Sequence, residues 1–470
     1  MMKKIVFILV LWLPMVGGAQ TIKLKKLDKV RRECWKEYVR AVKDGDGLSG
    51  DGLSGDGRLG DGRLRDGRLG DGRLGDRRLG DGRLGDGLFG DELPALADGK
   101  NRSLRLPNEL ESDRNGNAVE MKYYYGYKGE RPTAEKPSAA FLYLHGSGPR
   151  IVEWLTGLRI CQRFADTPSV YVIPQIPQEG EWYRWYQKSK QWAYEKMWRQ
   201  LLVREDIDPA RLYLFGISEG GYGSQRLASF YADYLAASGP MAGGEPLKNA
   251  PTENLSNTVF SLRTGALDYG FYRDKLTGYT ASSLDSLERL HPTLFRHWVE
   301  LIPGRGHSID YSPTPEFLRR HVRNPLPKEW MWEDFEMDGR HRDGFYYLAV
   351  DERPCDSLRT RYDVRVVKEA DGTSVVTVDV RNVIYTTTET DPCWGIEMRF
   401  ERRYETATGG AFTLFLDEHL VDLNADVRVV VNGKEAYAGK VKLNRRHLQR
   451  SLDLWGDPLR MMPAAVEVRY

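Results

Sequence analysis

The sequence predicts an α/β protein built on a mostly parallel sheet with helices on both faces, followed by a smaller β-rich domain resembling a sandwich. Three observations carry that expectation. Between residues 121 and 324, short apolar runs alternate with helical stretches, the pattern of strands joined by crossover helices. Within this region, residues 211–223, RLYLFGISEGGYG, read as an apolar strand that breaks at Gly216 and opens directly into a glycine-rich helix. Beyond Asn324-Pro325-Leu326-Pro327 the pattern changes to strand-like runs at 345–350, 362–367, 375–383, 394–400, 411–416 and 427–431. There Asn432-Gly433 is a hairpin-turn signal.

Taken in order, the chain begins with Lys3 and Lys4 before an apolar run at 5–13, and Gly17-Gly18-Ala19 supplies the small residues of a cleavage site. Residues 1–19 therefore read as a signal peptide, and the protein is expected in the periplasm or secreted. The run is too short to span a bilayer comfortably, no cysteine follows the site to take a lipid, and stable membrane insertion is not expected. Residues 20–45 are basic and locally amphipathic and read as a solvated helix or linker. From 46 to 91 an aspartate recurs at every fifth position, as in DGRLG. Calcium-binding β-rolls need a nine-residue period, so this is not a metal solenoid. One leucine per repeat buries too little to offset chain entropy, and disorder is expected. A linker at 92–120 follows. A net charge of +2 gives no basis for a nucleic-acid partner.

In the α/β region the expected strands are 122–128, 139–144, 169–173, 211–215, 234–237, 258–262 and 296–302. The second, AAFLYL, is apolar on both faces, as a buried parallel strand must be, and runs into His145-Gly146-Ser147-Gly148. The helix at 151–164 carries Cys161 on its apolar stripe, where a buried free thiol is the ordinary outcome. Trp182, Tyr183 and Trp185 follow a strand end, where binding loops gather. They form either an aromatic wall for substrate or the packing of a short helix, while Trp192 and Trp198 fit the core face of the next helix.

Gly216-Ile217-Ser218-Glu219-Gly220 has the G-x-S-x-G layout in which a serine stands exposed on a tight strand-to-helix turn and flanking glycines let the backbone pass. Ser218 is the expected nucleophile. A serine needs a base and an acid, here met in the order serine, acid, histidine. Asp268 follows the strand at 258–262, and His307 sits in the loop Pro303-Gly304-Arg305-Gly306-His307 after the strand at 296–302. Asp274 and Glu245 are alternative acids, whereas His291, His297 and His321 lie in regular stretches that suit a base less well. Backbone amides of Ser147 or Gly148, with that of Glu219, would form the oxyanion hole, and His145 anchors the loop.

These motifs resemble the α/β-hydrolase superfamily over residues 121–324, and within it secreted bacterial esterases of the dienelactone hydrolase and polyhydroxybutyrate depolymerase type. The resemblance implies a Ser218, Asp268, His307 triad, an acyl-enzyme, no metal and no organic cofactor. The resemblance says little about the ester, and the substrate expected is a small-molecule or carbohydrate-linked ester. The sequence also admits a peptidase of the same fold, disfavoured because the repeat and a short linker stand where such enzymes carry a gating domain, and a non-catalytic binding protein. Residues 325–470 resemble the C-terminal extension of such hydrolases, which could bind polymer, complete one wall of the active site or only cover the sheet, the covering role being the one expected, and Cys355 and Cys393 are the expected disulfide pair.

Overall fold

The computed structural model describes residues 21–45, 97–178 and 184–470. Residues 1–19, read as a signal peptide, the repeat at 46–91, and Trp182 and Tyr183 lie outside these residues. Eight strands form the main sheet: β1 (Ala97–Arg105), β2 (Glu120–Lys128), β3 (Ser138–Leu144), β4 (Ser169–Pro174), β5 (Ile207–Ile217), β6 (Ala237–Met241), β7 (Val259–Gly265) and β8 (His297–Ile302). Their order is β1-β2-β4-β3-β5-β6-β7-β8. Strands β3 to β8 run parallel, and β1 and β2 are antiparallel at one edge. This is the α/β-hydrolase architecture.

Six helices accompany the sheet: α1 (Leu27–Gly45), α2 (Arg150–Arg163), α3 (Lys188–Leu202), α4 (Glu219–Phe230), α5 (Arg273–Leu290) and α6 (Pro313–Arg319). Every residue of β3 and β4 is buried, because helices cover both faces. Phe141 and Tyr143 point to the side of α2 and α6, where they meet Tyr171, Tyr213 and Phe215. Leu142 and Leu144 point to the side of α3 and α4. The strand expected at 234–237 begins instead at Ala237. Residues 232–234 form a single 3₁₀ turn, which carries Asp233 into a buried cluster of charge described below. Strand β1 was not anticipated, since its sequence ADGKNRSLR shows no apolar alternation.

The second domain comprises β9 (Glu329–Asp334), β10 (Gly344–Phe345), β11 (Leu348–Glu352), β12 (Arg359–Lys368), β13 (Ser374–Thr390), β14 (Glu397–Thr406), β15 (Ala411–Leu416), β16 (Val427–Val431), β17 (Lys434–Gly439), helix α7 (Arg445–Trp455) and β18 (Ala464–Arg469). One sheet runs β17-β16-β13-β12-β9 with β14 paired to β13, and the other runs β10-β11-β15-β18. Asn432 and Gly433 both take positive φ, 49° and 77°, as the two-residue hairpin turn requires. All four cysteines are free. The expected Cys355–Cys393 bridge does not form. Cys355 lies before β12, whose first residue Arg359 pairs with Val383, whereas Cys393 sits at the far tip of the β13–β14 hairpin. Cys34 and Cys161 are buried thiols.

The reading of residues 20–45 as a solvated helix or linker is also corrected. Helix α1 docks on the second domain: Leu27 and Cys34 are buried, Arg31 pairs with Asp417 and Glu418, and Arg445 of α7 pairs with Glu37 at 2.6 Å. Its apolar residues recur at helical spacing and find a partner surface far away in sequence.

The two domains share one apolar core, and a cluster of buried charge crosses their seam. Asp233 accepts from Arg342 at 3.0 Å and from Arg460 at 2.5 Å, and Asp457 pairs with Arg460 and with Arg323, each at 2.8 Å. Three arginines thus face two aspartates. The excess positive charge is spread over carbonyl oxygens of Phe230 and Asp233 and over aromatic faces, with Arg460 4.2 Å from the Tyr234 ring centroid. Burial pushes the Asp233 carboxyl up, but Arg342 and Arg460 outweigh it and its pKa lies below the usual range. Removing one partner from such a cluster leaves an uncompensated buried charge. Asp233→Ala is expected to lower the unfolding free energy by about 3–5 kcal/mol, measured by urea denaturation.

Candidate active site

At the C-terminal end of β5 the chain turns into α4 through Ser218, whose φ of 57° and ψ of −117° hold it in a conformation that costs about 1–3 kcal/mol. Packing fixes it there. The Ser218 amide donates to the Met241 carbonyl at 3.0 Å, and the Ser218 carbonyl accepts from Tyr222 N–H at 3.1 Å. A Cβ on Gly216 would overlap the Gly220 carbonyl, and one on Gly220 would overlap the Leu144 carbonyl. The two glycines are therefore required by close backbone approach.

Asp268 and His307 come from neighbouring loops that are fastened to each other. Ala266 N–H donates to the Ile302 carbonyl at 2.9 Å and Leu267 N–H to the Arg305 carbonyl at 2.8 Å, so the loops after β7 and β8 move as one. His307 Nδ1 lies 2.7 Å from Asp268 Oδ2, and Nε2 lies 2.9 Å from Ser218 Oγ. With Asp268 ionised, Nδ1 carries the proton and donates to the carboxylate, which leaves Nε2 to accept from the serine hydroxyl. The three sequence-predicted residues thus form one hydrogen-bonded chain. The alternative acids do other work: Glu245 pairs with Arg226 at 2.6 Å, and Asp274 opens α5.

Arg273 was missed by sequence reasoning. From the first turn of α5 its Nε and Nη2 grip the two oxygens of Asp268 at 2.8 and 2.6 Å. Burial pushes the Asp268 carboxyl up, but the hydrogen bonds from His307 and Arg273 outweigh it, and its pKa lies below the ordinary aspartate range. The available signal was an arginine five residues after the acid at the start of a helical pattern.

Above Ser218, Ser147 and Glu219 line the same cleft. Glu219 is the first residue of α4, so its amide points out of a helix N-terminus, where negative charge is favoured. Gly148 lies close against the Glu153 side chain of α2. His145 fixes this loop from below. It is fully buried, its Nδ1 donates to the Gly146 carbonyl at 2.8 Å, and its Nε2 accepts from Ile176 N–H at 3.1 Å. The corrected member of the aromatic set is Trp185, which is 0% exposed, donates from Nε1 to the His145 carbonyl and stands edge-on to its ring. It supports the loop and does not reach the cleft.

The cleft has a volume of about 660 Å³ and is bounded partly by the second domain. Tyr222, Arg226, Phe271 and Arg273 form one side, and Trp394 to Glu397 from the β13–β14 turn form another. The covering role expected of this domain understates it, because it contributes a wall. The strand expected at 394–400 starts at Glu397, which leaves Trp394 free to stand in the turn. Among the described residues, no helix is long and apolar enough to cross a membrane.

Neither a protein-family model nor a curated protein matches the chain. Solved structures do. A thermostable esterase is similar at 18% identity with a TM-score of 0.36, over 48% of this chain and 60% of that one. This chain thus spans less than two thirds of that esterase. The feruloyl esterase module from Clostridium thermocellum is similar at 14% identity and a TM-score of 0.33, over 47% of this chain and 87% of that one. The S-formylglutathione hydrolase of Staphylococcus aureus is similar at 14% and 0.33, over 49% and 97%.

Burial drives the pKa of His145 down to about 4 from its ordinary 6.5, so the neutral ring is the form the fold accommodates. The stabilisation is complete above pH 6.5 and is lost as pH falls toward about 4. Denaturant titrations across that window should show the unfolding free energy decreasing as pH is lowered, and His145→Gln should flatten this dependence.

Proposed function

We propose that the protein is a serine hydrolase that cleaves a carboxylic ester through an acyl-enzyme intermediate. The observation that carries this reading is the unbroken hydrogen-bonded chain from Ser218 through His307 to Asp268 at the base of an open cleft. Ser218 Oγ attacks the ester carbonyl carbon while its proton passes to His307 Nε2. The carbonyl oxygen becomes an oxyanion, for which the amide of Glu219 and a backbone amide of the Ser147 loop are the available donors. The tetrahedral intermediate collapses, the C–O bond to the alcohol breaks, and His307 returns the proton to the leaving oxygen. Water then repeats the sequence against the acyl-serine and releases the acid. Asp268 orients the imidazole and balances its transient charge. The reading extends to kinship with secreted esterases of the dienelactone hydrolase and polyhydroxybutyrate depolymerase type and to work in the periplasm or outside the cell, supported by the motifs and by the pattern of residues 1–19.

Ser218→Ala should reduce hydrolysis of short-chain esters by roughly 10⁴-fold or more and abolish fluorophosphonate labelling, without changing the unfolding midpoint. Turnover by this variant near the wild-type rate would overturn the mechanism. Asp268→Asn should cost about 10⁴-fold in kcat by presenting the wrong tautomer of His307.

Arg273 sets the strength of the acid. Its charge partly neutralises Asp268, which lowers the support that the carboxylate gives to a protonated His307. Arg273→Met should therefore move the acid limb of the kcat/KM profile to higher pH. Arg273→Lys should move it less. A profile that keeps its position while overall activity drops would mean that Arg273 only holds structure.

A further inference from the structure

We propose that Trp394, brought into the cleft by the β13–β14 turn, is the stacking platform of a saccharide subsite. The ester cleaved at Ser218 is then one whose alcohol is a sugar. This deepens the hydrolase reading above and rests on it for the bond that is broken.

Trp394 is the only exposed tryptophan among the described residues, with 56% of its surface open. Its exposure does not come from slackness. Asp391 Oδ2 accepts from the Trp394 amide at 2.5 Å, Gly395 N–H donates to the Asp391 carbonyl at 3.0 Å, and Asp391 N–H donates to the Ile396 carbonyl at 2.8 Å. Gly395 has a φ of 67°, which closes the turn without a side-chain clash. Two ties then bind the turn to the hydrolase domain. Tyr272 Oη donates to Asp391 Oδ1 at 2.5 Å, and Lys248 Nζ reaches both oxygens of Glu397 at 2.8 Å. The indole rests against Phe271, with centroids 4.6 Å apart and planes at 53°. Phe271 and Tyr272 both hold positive φ, 52° and 57°, a strained conformation that persists where surrounding contacts enforce it. A large apolar ring is thus fixed rigidly and left open at the mouth of the site that holds Ser218 and His307.

The surroundings of the ring select its ligand. A slot for an aromatic acyl group would enclose a flat ring between apolar walls. Here, beyond Trp394 and Phe271, the cleft sets Pro246, Leu276 and Ile396 beside Glu397, Asn249, Tyr222 and Arg226, whose hydrogen-bonding groups stand along the same walls. A pyranose matches that arrangement: its axial C–H face packs on an aromatic ring, and its equatorial hydroxyls reach outward to donors and acceptors. The volume accommodates more than a short acyl chain, which leaves room for a sugar on the alcohol side.

The test uses the full chain and an O-acetylated methyl glucoside. Binding is measured by calorimetry in the Ser218→Ala protein, where turnover does not interfere, and compared with Ser218→Ala/Trp394→Ala and Ser218→Ala/Trp394→Phe. Loss of the indole should raise Kd about tenfold, and phenylalanine, which keeps a ring face, should restore most of the affinity. With Ser218 intact, Trp394→Ala should lower the ratio of kcat/KM for the acetylated glucoside to that for ethyl acetate by a similar factor, since both esters share the acyl group. An unchanged Kd and ratio would overturn the subsite. So would a loss confined to methyl cinnamate, which would mark an aromatic acyl slot. Trp394-dependent binding of the glucoside by a chain that cleaves neither acetate would retain the subsite and overturn the hydrolase reading.

Discussion

The buried charge across the domain seam is the constraint on which the rest of the molecule depends. Asp233 belongs to the domain of the eight-stranded sheet and Arg323 to the segment that leaves it, whereas Arg342, Asp457 and Arg460 belong to the second domain. None of these groups tolerates burial without the others. A second set repeats the arrangement where Glu253 of the first domain meets Arg361 and Arg402 of the β12–β14 sheet. Charges desolvated in this way contribute little net stability, but they penalise every misaligned docking severely. The two domains therefore meet in one orientation, and the turn bearing Trp394 is delivered to the cleft by the same geometry.

Within the site, order comes from backbone contacts more than from the reacting side chains. The elbow at Ser218 is held by carbonyls of β3 and β6, and the loops of Asp268 and His307 are hydrogen-bonded to each other before their side chains meet. His145, a buried neutral ring with a partner on each nitrogen, carries the loop of Gly146 and Ser147, and Trp185 braces it from behind. Such a site has little to rearrange when charge develops, which is where electrostatic preorganisation acts.

The parts of this arrangement legible in the sequence are those with local signatures. Ser218 is written in its flanking glycines, β3 and β4 in uninterrupted apolar runs, and Asp268 and His307 in their positions after successive strands. What could not be read is what depends on contacts between distant segments. Trp394 looked like the start of a strand because DPCWG gives no hint that its turn lies over another domain. The Cys355–Cys393 pair seemed plausible from shared location, but strand register separates them along the β13 hairpin. Trp182, Tyr183 and Trp185 were grouped by proximity in sequence, and packing sends Trp185 inward. The basic stretch of α1 hid an apolar stripe whose partner surface lies in the last quarter of the chain.

That last contact has a consequence for how the molecule is made. Arg31 and its partner Asp417 are 386 residues apart, and Ile22 donates its amide to Leu443. A ribosome releases α1 long before the surface that covers it exists, so its apolar side must wait, shielded by chaperones or by transient contacts, until β15 and α7 emerge. Assembly thus closes with its earliest helix, and a chain halted before α7 would keep that stripe uncovered, a mark by which quality control can recognise unfinished molecules.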